Sequence, residues 1–298
     1  MLEFKKLQLG DIDGMRAYFK HSVNRICDNT AGGMVMWRDY FSSEYAEYDE
    51  TIVFKANIKH HGNLTAFSMP LGENVRGCIE KIVEYCNKNG IKVAFSSVTS
   101  EDIEILKTVF RDFDLLKCDG WGDYVYRADD LVGLSGRKFH GQRNHINYFK
   151  RTYTNHVFEE ISPDNIGHVR DFYLELSKSM DFSSRLAVED HKITLEVLDN
   201  FEAYGFFGGL LRVSGAVVAF SVGDINNGVL FIHIEKADLR FRGAYQVISN
   251  EFARRYATSG VEFINREEDL GDAGLRISKE SYHPSEILEK YIFFVLYY

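Results

Sequence analysis

The order of the predicted elements is the strongest constraint on this fold, because both halves of the chain predict the same succession. Each half reads as a helix, antiparallel strands, a helix, a strand, a helix and a last strand. In the second half, Ser214-Gly215 and Asn226-Asn227-Gly228 separate three apolar runs, as hairpin turns do. The residues themselves do not repeat. We therefore predict an α+β protein with two similarly built domains, residues 1–128 and 129–298, each with a mixed sheet flanked by helices.

Length and composition agree with two soluble domains. The chain has 298 residues, of which 45% are apolar and 27% charged, and this length is more than one hydrophobic core usually needs. No apolar run approaches the roughly 20 residues of a membrane-spanning helix, and the N-terminus lacks a signal-peptide pattern. We therefore predict a cytoplasmic protein without an integral membrane segment.

Cysteine spacing and net charge argue against further classes of protein. The four cysteines fit neither zinc nor redox spacing. His60-His61 falls in a predicted hairpin turn, where exposed side chains are more common than metal ligands. We predict no metal site. The net charge of −9 argues against a surface that binds nucleic acid throughout, although it permits a local basic patch.

The richest set of functional groups lies in residues 265–284. An apolar run at 261–264 leads into it and predicts a strand that ends there, and the end of a strand is where α/β architectures place ligand chemistry. The glycines Gly271 and Gly274 indicate a backbone that turns tightly. The stretch includes these candidate site residues: Asn265, Glu267, Asp269, Arg276, Lys279 and Tyr282. The alternative is a loop of solvated charges.

Within this stretch, Glu267 and Asp269 alternate as on a strand, so they are expected to share a face. Two close carboxylates raise the pKa of one of them, which suits a general base. Arg276 and Lys279 lie three apart in a predicted helix at 273–281, where they would hold a phosphate or an oxyanion. The competing interpretation is an internal ion-pair network.

A second candidate region is residues 131–158, which contain basic side chains and no acid. Arg143, Asn147 and Lys150 have helical spacing. The region predicts an anion site for a phospholipid head group, a tRNA acceptor end or coenzyme A phosphates. The alternative is an inter-domain helix whose cations pair with acids of the other half. If this helix and residues 265–284 form two walls of a cleft, Glu267 or Asp269 lies within reach of a cation of either segment: Lys138, Arg143, Arg276 or Lys279.

Four motifs together resemble a known family. They are residues 134–144 (LSGRKFHGQRN), 242–246 (RGAYQ), 265–271 (NREEDLG) and 274–276 (GLR) with Lys279. The resemblance is to the bacterial family that shares the C-terminal domain of phosphatidylglycerol lysyltransferases, the domain of unknown function 2156 group. It covers most of the chain and is strongest after residue 124. It implies a tandem GNAT-like fold, the fold of acyl-coenzyme A N-acyltransferases, as in the related Fem aminoacyltransferases.

The resemblance also implies an activity. It suggests an acyltransferase that moves an aminoacyl group from aminoacyl-tRNA to a hydroxyl or amine on a lipid head group or a small molecule. Catalytic roles would fall to Glu267, Asp269 and Arg276. Substrate-binding roles would fall to Lys138, Arg143, Asn144, Asn265, Lys279 and Tyr282, of which the first three lie in the recurring part of the family's pattern.

The turn Arg242-Gly243-Ala244 supports a different donor. It follows a predicted strand and opens a helix, where coenzyme A-dependent acyltransferases present backbone N–H groups to the pyrophosphate. Coenzyme A is therefore a possible acyl donor, although Tyr245 occupies a position where that family has a small residue. A tight turn that needs glycine explains Gly243 equally well. A third hypothesis is a ligand-binding protein without catalytic activity.

Overall fold

The computed structural model describes residues 2–59 and 62–297, so His60 and His61 lie outside the described residues. The chain divides into two compact units. The first unit contains the residues up to 123 together with 268–272 and 287 onward, and the second contains 124–267 and 273–286.

The first unit is a sheet with helices on its surface. Its helices are α1 (Ile12–Phe19), α2 (Ala31–Met36), α3 (Val75–Asn89) and α4 (Ser100–Lys107), with 3-10 turns at Leu9–Asp11 and Cys27–Asn29. Its strands are β1 (Lys5–Lys6), β2 (Glu44–Glu47), β3 (Thr51–Ile58), β4 (Leu64–Phe67), β5 (Leu71–Gly72), β6 (Ala94–Val98), β7 (Asp112–Lys117) and β15 (Tyr291–Tyr297). The strand order is β1-β2-β3-β4-β6-β15-β7, and β5 pairs with β3.

The second unit has the same kinds of element. Its helices are α5 (Ala128–Gly133), α6 (His140–Thr152), α7 (Ile166–Ser177), α8 (Arg185–Asp199), α9 (Phe201–Tyr204), α10 (Ala244–Tyr256) and α11 (Ala273–Glu280). Its strands are β8 (Asp123–Arg127), β9 (His156–Glu160), β10 (Phe207–Val213), β11 (Ala216–Asn226), β12 (Val229–Ala237) and β13 (Phe263–Asn265), ordered β8-β13-β12-β11-β10-β9. The short strand β14 (Glu286–Leu288) spans the point where the chain leaves this unit.

Both units follow one plan. An antiparallel meander ends in a strand, a helix crosses over, and the next strand lies parallel to the last strand of the meander. In the first unit α3 connects β4 to the parallel β6. In the second unit α10 connects β12 to the parallel β13. This repetition confirms the predicted α+β class, with mixed sheets flanked by helices.

In each sheet, one strand beside the crossover strand comes from a distant part of the sequence. In the first sheet β15, at the end of the chain, pairs antiparallel with β6 and β7. In the second sheet β8, which precedes residue 128, pairs antiparallel with β13. The units therefore differ from the consecutive segments 1–128 and 129–298. An apolar run identifies a strand, but it does not specify the sheet that the strand joins.

Two local predictions from the sequence need correction. The sequence predicts a short helical turn at 285–290, whereas Glu286–Leu288 form the strand β14. The sequence also predicts Ser100 as the N-cap of a helix at 100–110, whereas Thr99 caps α4, with Asp102 as reciprocal partner. The sequence pattern did not identify β7, β9 or α5. All three are short. The strands β7 and β9 lie at sheet edges and expose several side chains, so their sequences are polar or mixed and lack a clear apolar pattern.

Gly243, at the N-terminus of α10, has no room for a side chain. Gly243 has a φ of 95°, and a Cβ there would lie 2.6 Å from the His145 carbonyl oxygen and 3.1 Å from Phe149 Cβ. We expect Gly243→Ala to cost about 2–4 kcal/mol of unfolding free energy, since strain and overpacking add. Gly260 is the control, because its φ is 93° and a Cβ would meet nothing within 4 Å. Gly260→Ala should cost about 1 kcal/mol in the same urea titration. Equal costs would contradict the steric account.

Candidate functional site

The end of β13 shapes the backbone around Glu267. Asn265 is fully buried, and its side-chain Oδ1 accepts the backbone N–H of Glu267 at 2.6 Å. Glu267 has a φ of 59°, a left-handed conformation that is uncommon for a residue with a Cβ and is often stored at functional sites. Its side chain keeps 18% exposure. Asn265 thus holds the turn that presents the Glu267 carboxylate.

A buried histidine contacts that carboxylate. His233 Nδ1 lies 2.7 Å from Glu267 Oε1, and His233 Nε2 lies 3.2 Å from Asp224 Oδ1. The Nε2–Oδ1 contact is an ion-pair distance without hydrogen-bond alignment. The side chain of His233 is fully buried, against the ring of Phe206 at 4.8 Å. An imidazole between two carboxylates is thereby isolated from water.

A β-bulge places the histidine there. In the β11–β12 pair, Val222 faces Ile234 and Gly223 faces Ile232, so the pairing skips His233. A bulge re-aims side chains and is common beside active sites. Sequence analysis missed His233 because it is one polar residue within an apolar strand. The polar residue within the apolar run was the available signal. The bulge that turns its side chain toward Glu267 depends on pairing with β11, which the sequence of β12 alone does not reveal.

The surroundings of His233 keep it charged. Burial alone would lower the pKa of His233, but the carboxylates of Asp224 and Glu267 outweigh burial and raise it from 6.5 to about 10. At neutral pH the ring is therefore an imidazolium. Its role toward Glu267 is to hold and stabilise a carboxylate, because a ring that is already protonated cannot accept a proton.

This pKa predicts a dependence of stability on pH. Because the pKa of His233 is higher in the folded protein, its contacts with Asp224 and Glu267 stabilise the fold fully below about pH 6.5. This contribution to the unfolding free energy disappears as the pH rises toward about 10. We expect His233→Gln to lower the unfolding free energy at about pH 6, and we expect this loss to shrink by about 2–4 kcal/mol at about pH 10. Urea titrations of both proteins at the two pH values measure it. A loss that is the same at both would contradict the charged histidine.

Next to Glu267, Arg266 takes part in a different cluster. Its Nη2 donates to Glu235 Oε1 at 2.8 Å, and its guanidinium carbon lies 4.7 Å from the centre of the Tyr282 ring. Lys279 Nζ donates to the Arg266 carbonyl at 2.5 Å. Burial raises the pKa of Glu235, with Arg266 acting against it. The structure therefore brings Asn265, Lys279 and Tyr282 together around the end of β13.

Three of the predicted residues in 131–158 lie at the start of α6 and have local partners: Lys138, Arg143 and Asn144. Lys138 Nζ pairs with Asp130 at 2.8 Å. Arg143 donates to the carbonyls of Leu134 and Gly136, the latter at 2.7 Å. Asn144 Nδ2 lies 3.2 Å from His140 Nδ1. Lys138 and Arg143 thus stabilise the α5–α6 connection, and the ion pair of Lys138 lies within the second unit. A role for these residues in binding anions stays a prediction.

The other predicted residues occupy separate places. Asp269 is buried in the first unit, where its Oδ1 accepts the N–H of Gly271 at 2.8 Å. Arg276 is exposed on α11 of the second unit. Glu267 belongs to the second unit, so the predicted carboxylate pair is divided between units. The partner that the structure gives Glu267 is His233, and their catalytic roles stay predictions.

The turn before α10 can be compared with the needs of a pyrophosphate. Arg240 is paired with Asp238 at 2.7 Å, and Arg242 is exposed and stacks 4.7 Å from the Tyr148 ring centre. The Ala244 N–H donates to the Phe241 carbonyl. Burial raises the pKa of Tyr245, whose hydroxyl bonds the Ala237 backbone. The Asp238 carboxylate would repel a diphosphate, and the Ala244 N–H is already bonded, so this turn fits a diphosphate poorly. The glycine at 243 is explained by the lack of room for a Cβ.

The first unit contains a cluster that sequence analysis missed. Lys290 is 1% exposed, and its ammonium lies 2.6 Å from Asp28, 2.7 Å from Asp123 and 2.6 Å from Glu268. Its Nζ is also 3.4 Å from the Cys27 thiol. Burial, with the neighbouring carboxylates, raises the pKa of Asp123 to about 7, and Lys290 opposes this. Only Glu268 belongs to a stretch that the sequence had selected.

This cluster resembles a set of metal ligands in composition. Donor atoms of Cys27, Asp28 and Glu268 all lie within 4.8 Å of one another. The ammonium of Lys290 already contacts both of these carboxylates, and burial together with Asp123 and Glu268 raises the pKa of the Cys27 thiol well above its usual value. A buried neutral thiol is a poor metal ligand. The lysine therefore supplies the positive charge of this site.

Comparisons with known proteins agree with this architecture. In residues 2–59 and 62–297, no helix combines the length and apolar character needed to cross a bilayer.

The crystal structure of a conserved protein of unknown function from Bacteroides thetaiotaomicron is similar, with 35% identity and a TM-score of 0.91 over 99% of this chain and 100% of that one.

Two more distant structures share the fold. The C-terminal domain of a putative lysylphosphatidylglycerol synthetase from Agrobacterium fabrum has 13% identity and a TM-score of 0.68, covering 96% of this chain and 92% of that one. FemX has 9% identity and a TM-score of 0.64, covering 99% and 97%. With the repeated plan of the two units, these confirm the predicted tandem GNAT-like fold. The family model described as phosphatidylglycerol lysyltransferase, C-terminal, matches residues 19–294. The chain therefore belongs to the family of the phosphatidylglycerol lysyltransferase C-terminal domain.

Proposed function

We propose that this protein is an aminoacyltransferase that moves an aminoacyl group from aminoacyl-tRNA to a hydroxyl or amine acceptor. Family membership supports the reaction class, since the family takes its name from a lysyltransferase. The observation that carries the proposal for this chain is Glu267. It has a left-handed backbone, a hydrogen bond from its N–H to Asn265 and a partly exposed carboxylate bound to a buried imidazolium.

In the proposed reaction, the acceptor O–H or N–H loses its proton to the Glu267 carboxylate as it attacks the ester carbonyl of the aminoacyl-tRNA. The carbonyl–nucleophile bond forms, and a tetrahedral oxyanion results. The ester C–O bond then breaks, and the proton passes from Glu267 to the ribose oxygen that leaves. His233 keeps its own proton throughout and fixes the carboxylate in position, with Asp224 as its second partner.

Cations of the same unit suit the developing negative charge. Lys279 is bonded to the carbonyl of Arg266, next to Glu267, and Arg276 lies on the same helix. We assign oxyanion stabilisation to these two residues. Lys138, Arg143 and Asn144 are assigned to anionic parts of the substrates. Asp269 is buried in a turn of the first unit, so the proposal gives the base role to Glu267.

The direct test is a transfer assay with the purified protein. Radiolabelled lysyl-tRNA and a set of other charged tRNAs are incubated with phosphatidylglycerol in detergent and, separately, with a water-soluble amine. Formation of a labelled lipid or amide supports the proposal. Acetyl-coenzyme A as donor is the parallel arm, and transfer from it alone would overturn the tRNA donor. If no donor gives transfer and charged tRNA does not bind, a ligand-binding protein is the better description.

A further inference from the structure

A groove in the second unit has no role in the reaction proposed above. It runs between one side of α7, the turn of the β10–β11 hairpin and the turn that follows β12. Its volume is about 520 Å³, which is within the range of small-molecule sites. All of its lining residues belong to the second unit.

The floor of the groove is apolar. Phe172 and Phe241 are half-buried, and Val218 is buried. The ring of Phe172 lies edge-on to Phe220, with 6.3 Å between the ring centres, and the ring of Phe241 packs on Tyr153 at 5.3 Å. These contacts hold the two rings in place while part of each stays open to the groove. Such a floor favours a ligand with a hydrocarbon part.

The arginines of the groove are already neutralised. Arg212 Nε donates to both carboxylate oxygens of Glu159, at 3.0 and 3.1 Å, and Arg212 Nη1 donates to the Gly215 carbonyl. Arg240 donates to both oxygens of Asp238, at 3.0 and 2.7 Å. Because each guanidinium has its own carboxylate, the groove offers little attraction to an anion.

The remaining charges are carboxylates. Asp171 and Glu175 lie one turn apart on α7 and both line the groove. Within residues 2–59 and 62–297, Asp171 has no hydrogen-bond or ion-pair partner, and the partner of Glu175 is the exposed Lys178. Asp238 is the most buried of the three acids, since its side chain is 7% exposed. The groove therefore favours a cation.

The Arg240 guanidinium occupies the position that a ligand cation would take. The Arg240 side chain is 83% exposed, whereas that of its partner Asp238 is 7% exposed. Glu175 acts on the same guanidinium through its charge. A long surface side chain thus covers a buried carboxylate. It can swing into water without disturbing the core, which would leave Asp238 to another cation.

We propose that this groove binds a small primary amine with an aromatic or aliphatic body. The ammonium takes the place of the Arg240 guanidinium on Asp238, with the two carboxylates of α7 at the rim. The hydrocarbon part lies on Phe172 and Phe241, whose rings also attract a nearby cation. Amine binding here is independent of the proposed aminoacyl transfer.

The test is a titration of the full chain with phenethylamine, followed by isothermal titration calorimetry and by protein NMR. The comparison ligands are phenylpropionate, which replaces the ammonium with a carboxylate, and ethylamine, which lacks the ring. We expect phenethylamine to bind more tightly than ethylamine, because the ring adds apolar contact. Phenylpropionate should not bind, and the affinity for phenethylamine should fall as the salt concentration rises.

Substitutions assign the binding to this groove. Asp238→Asn should weaken phenethylamine binding about tenfold or more, and the exposed Asp171→Asn should weaken it about threefold. Arg240→Ala should strengthen binding about three- to tenfold, because it removes the side chain that competes for Asp238. Asp164→Asn is the matched control, since Asp164 is an exposed acid just before α7 that does not line the groove. It should bind as the unchanged protein does.

Three results would overturn the proposal: no binding of phenethylamine, equally tight binding of phenylpropionate, or weaker binding after Arg240→Ala. Equal affinities of Asp171→Asn and Asp164→Asn would do the same. Circular dichroism checks the fold of each variant, and Asp171→Asn keeps the test valid if Asp238→Asn does not fold. The titration contains no tRNA and measures no transfer, so a failure of the proposed function leaves its result unchanged.

Discussion

Replacing Lys290 with methionine is expected to destabilise the first unit by about 3–5 kcal/mol, because it leaves buried carboxylates without their cation. Lys290 contacts Asp28, Asp123 and Glu268. Burial disfavours its charge, yet Asp123 and Asp28 raise the pKa of Lys290 well above its usual value. Trp37 and Trp121 are the tryptophans of the chain, and both lie in the first unit. Tryptophan fluorescence during urea unfolding therefore measures this unit.

Lys117 is the matched control for Lys290. It belongs to the same unit and pairs with Glu289, but its side chain is 51% exposed. Lys117→Met should change the unfolding free energy by less than about 1 kcal/mol. Adding Asp123→Asn to Lys290→Met should recover part of the lost stability, since one buried charge is removed. If Lys290 and Lys117 cost the same, or if Asp123→Asn only adds to the loss, the electrostatic account of the cluster is wrong.

The Lys290 cluster also illustrates which information the sequence lacks. Asp28 lies in a 3-10 turn, Asp123 begins β8, Glu268 lies in a polar loop, and Lys290 precedes β15. Each is unremarkable within its own segment, because charges often flank apolar runs. Their meeting depends on β15 and β8 joining sheets far from their neighbours in sequence. Long-range strand pairing of this kind has no local signature.

Local elements, in contrast, could be predicted with some accuracy. The bounds of β3 and α3 agree with the apolar spacing, since each has a strong periodicity and clear turn residues at its ends. The spacing also predicts that Phe139, Ile146 and Phe149 share an apolar side, and all three are buried, Phe139 as the residue just before α6. It did not reveal that Lys138 pairs with Asp130, or that Arg143 bonds the end of α5. Spacing orients a side chain, whereas its partner depends on the packing of neighbouring elements.

For the same reason, the sequence identified only part of the candidate site. The end of the β13 strand and its polar residues follow from an apolar run that stops. The carboxylate pair expected from Glu267 and Asp269 assumes an extended strand, but Glu267 adopts a left-handed conformation and the chain turns. The actual partner, His233, comes from the neighbouring strand β12. Its position required the bulge opposite Val222 and Gly223.

The largest effect on activity is expected from Glu267→Gln, which should lower kcat for aminoacyl transfer by about 10²- to 10⁴-fold. Glutamine has the same size and keeps the hydrogen bond of the backbone to Asn265, but it cannot accept the proton of the acceptor. Glu262→Gln is the control, because Glu262 is an exposed acid shortly before β13.

Binding separates a catalytic role of Glu267 from a structural one. If Glu267 is the base, charged tRNA binds Glu267→Gln with unchanged affinity, and the effect is confined to kcat. His233→Gln should act more mildly and change the pH profile of kcat, because it removes the imidazolium that lies 2.7 Å from the carboxylate and holds it in position. Transfer by Glu267→Gln at the rate of Glu262→Gln would remove Glu267 from the reaction. Loss of tRNA binding would instead indicate that the ion pair with His233 shapes the donor site, and the base would have to be sought elsewhere.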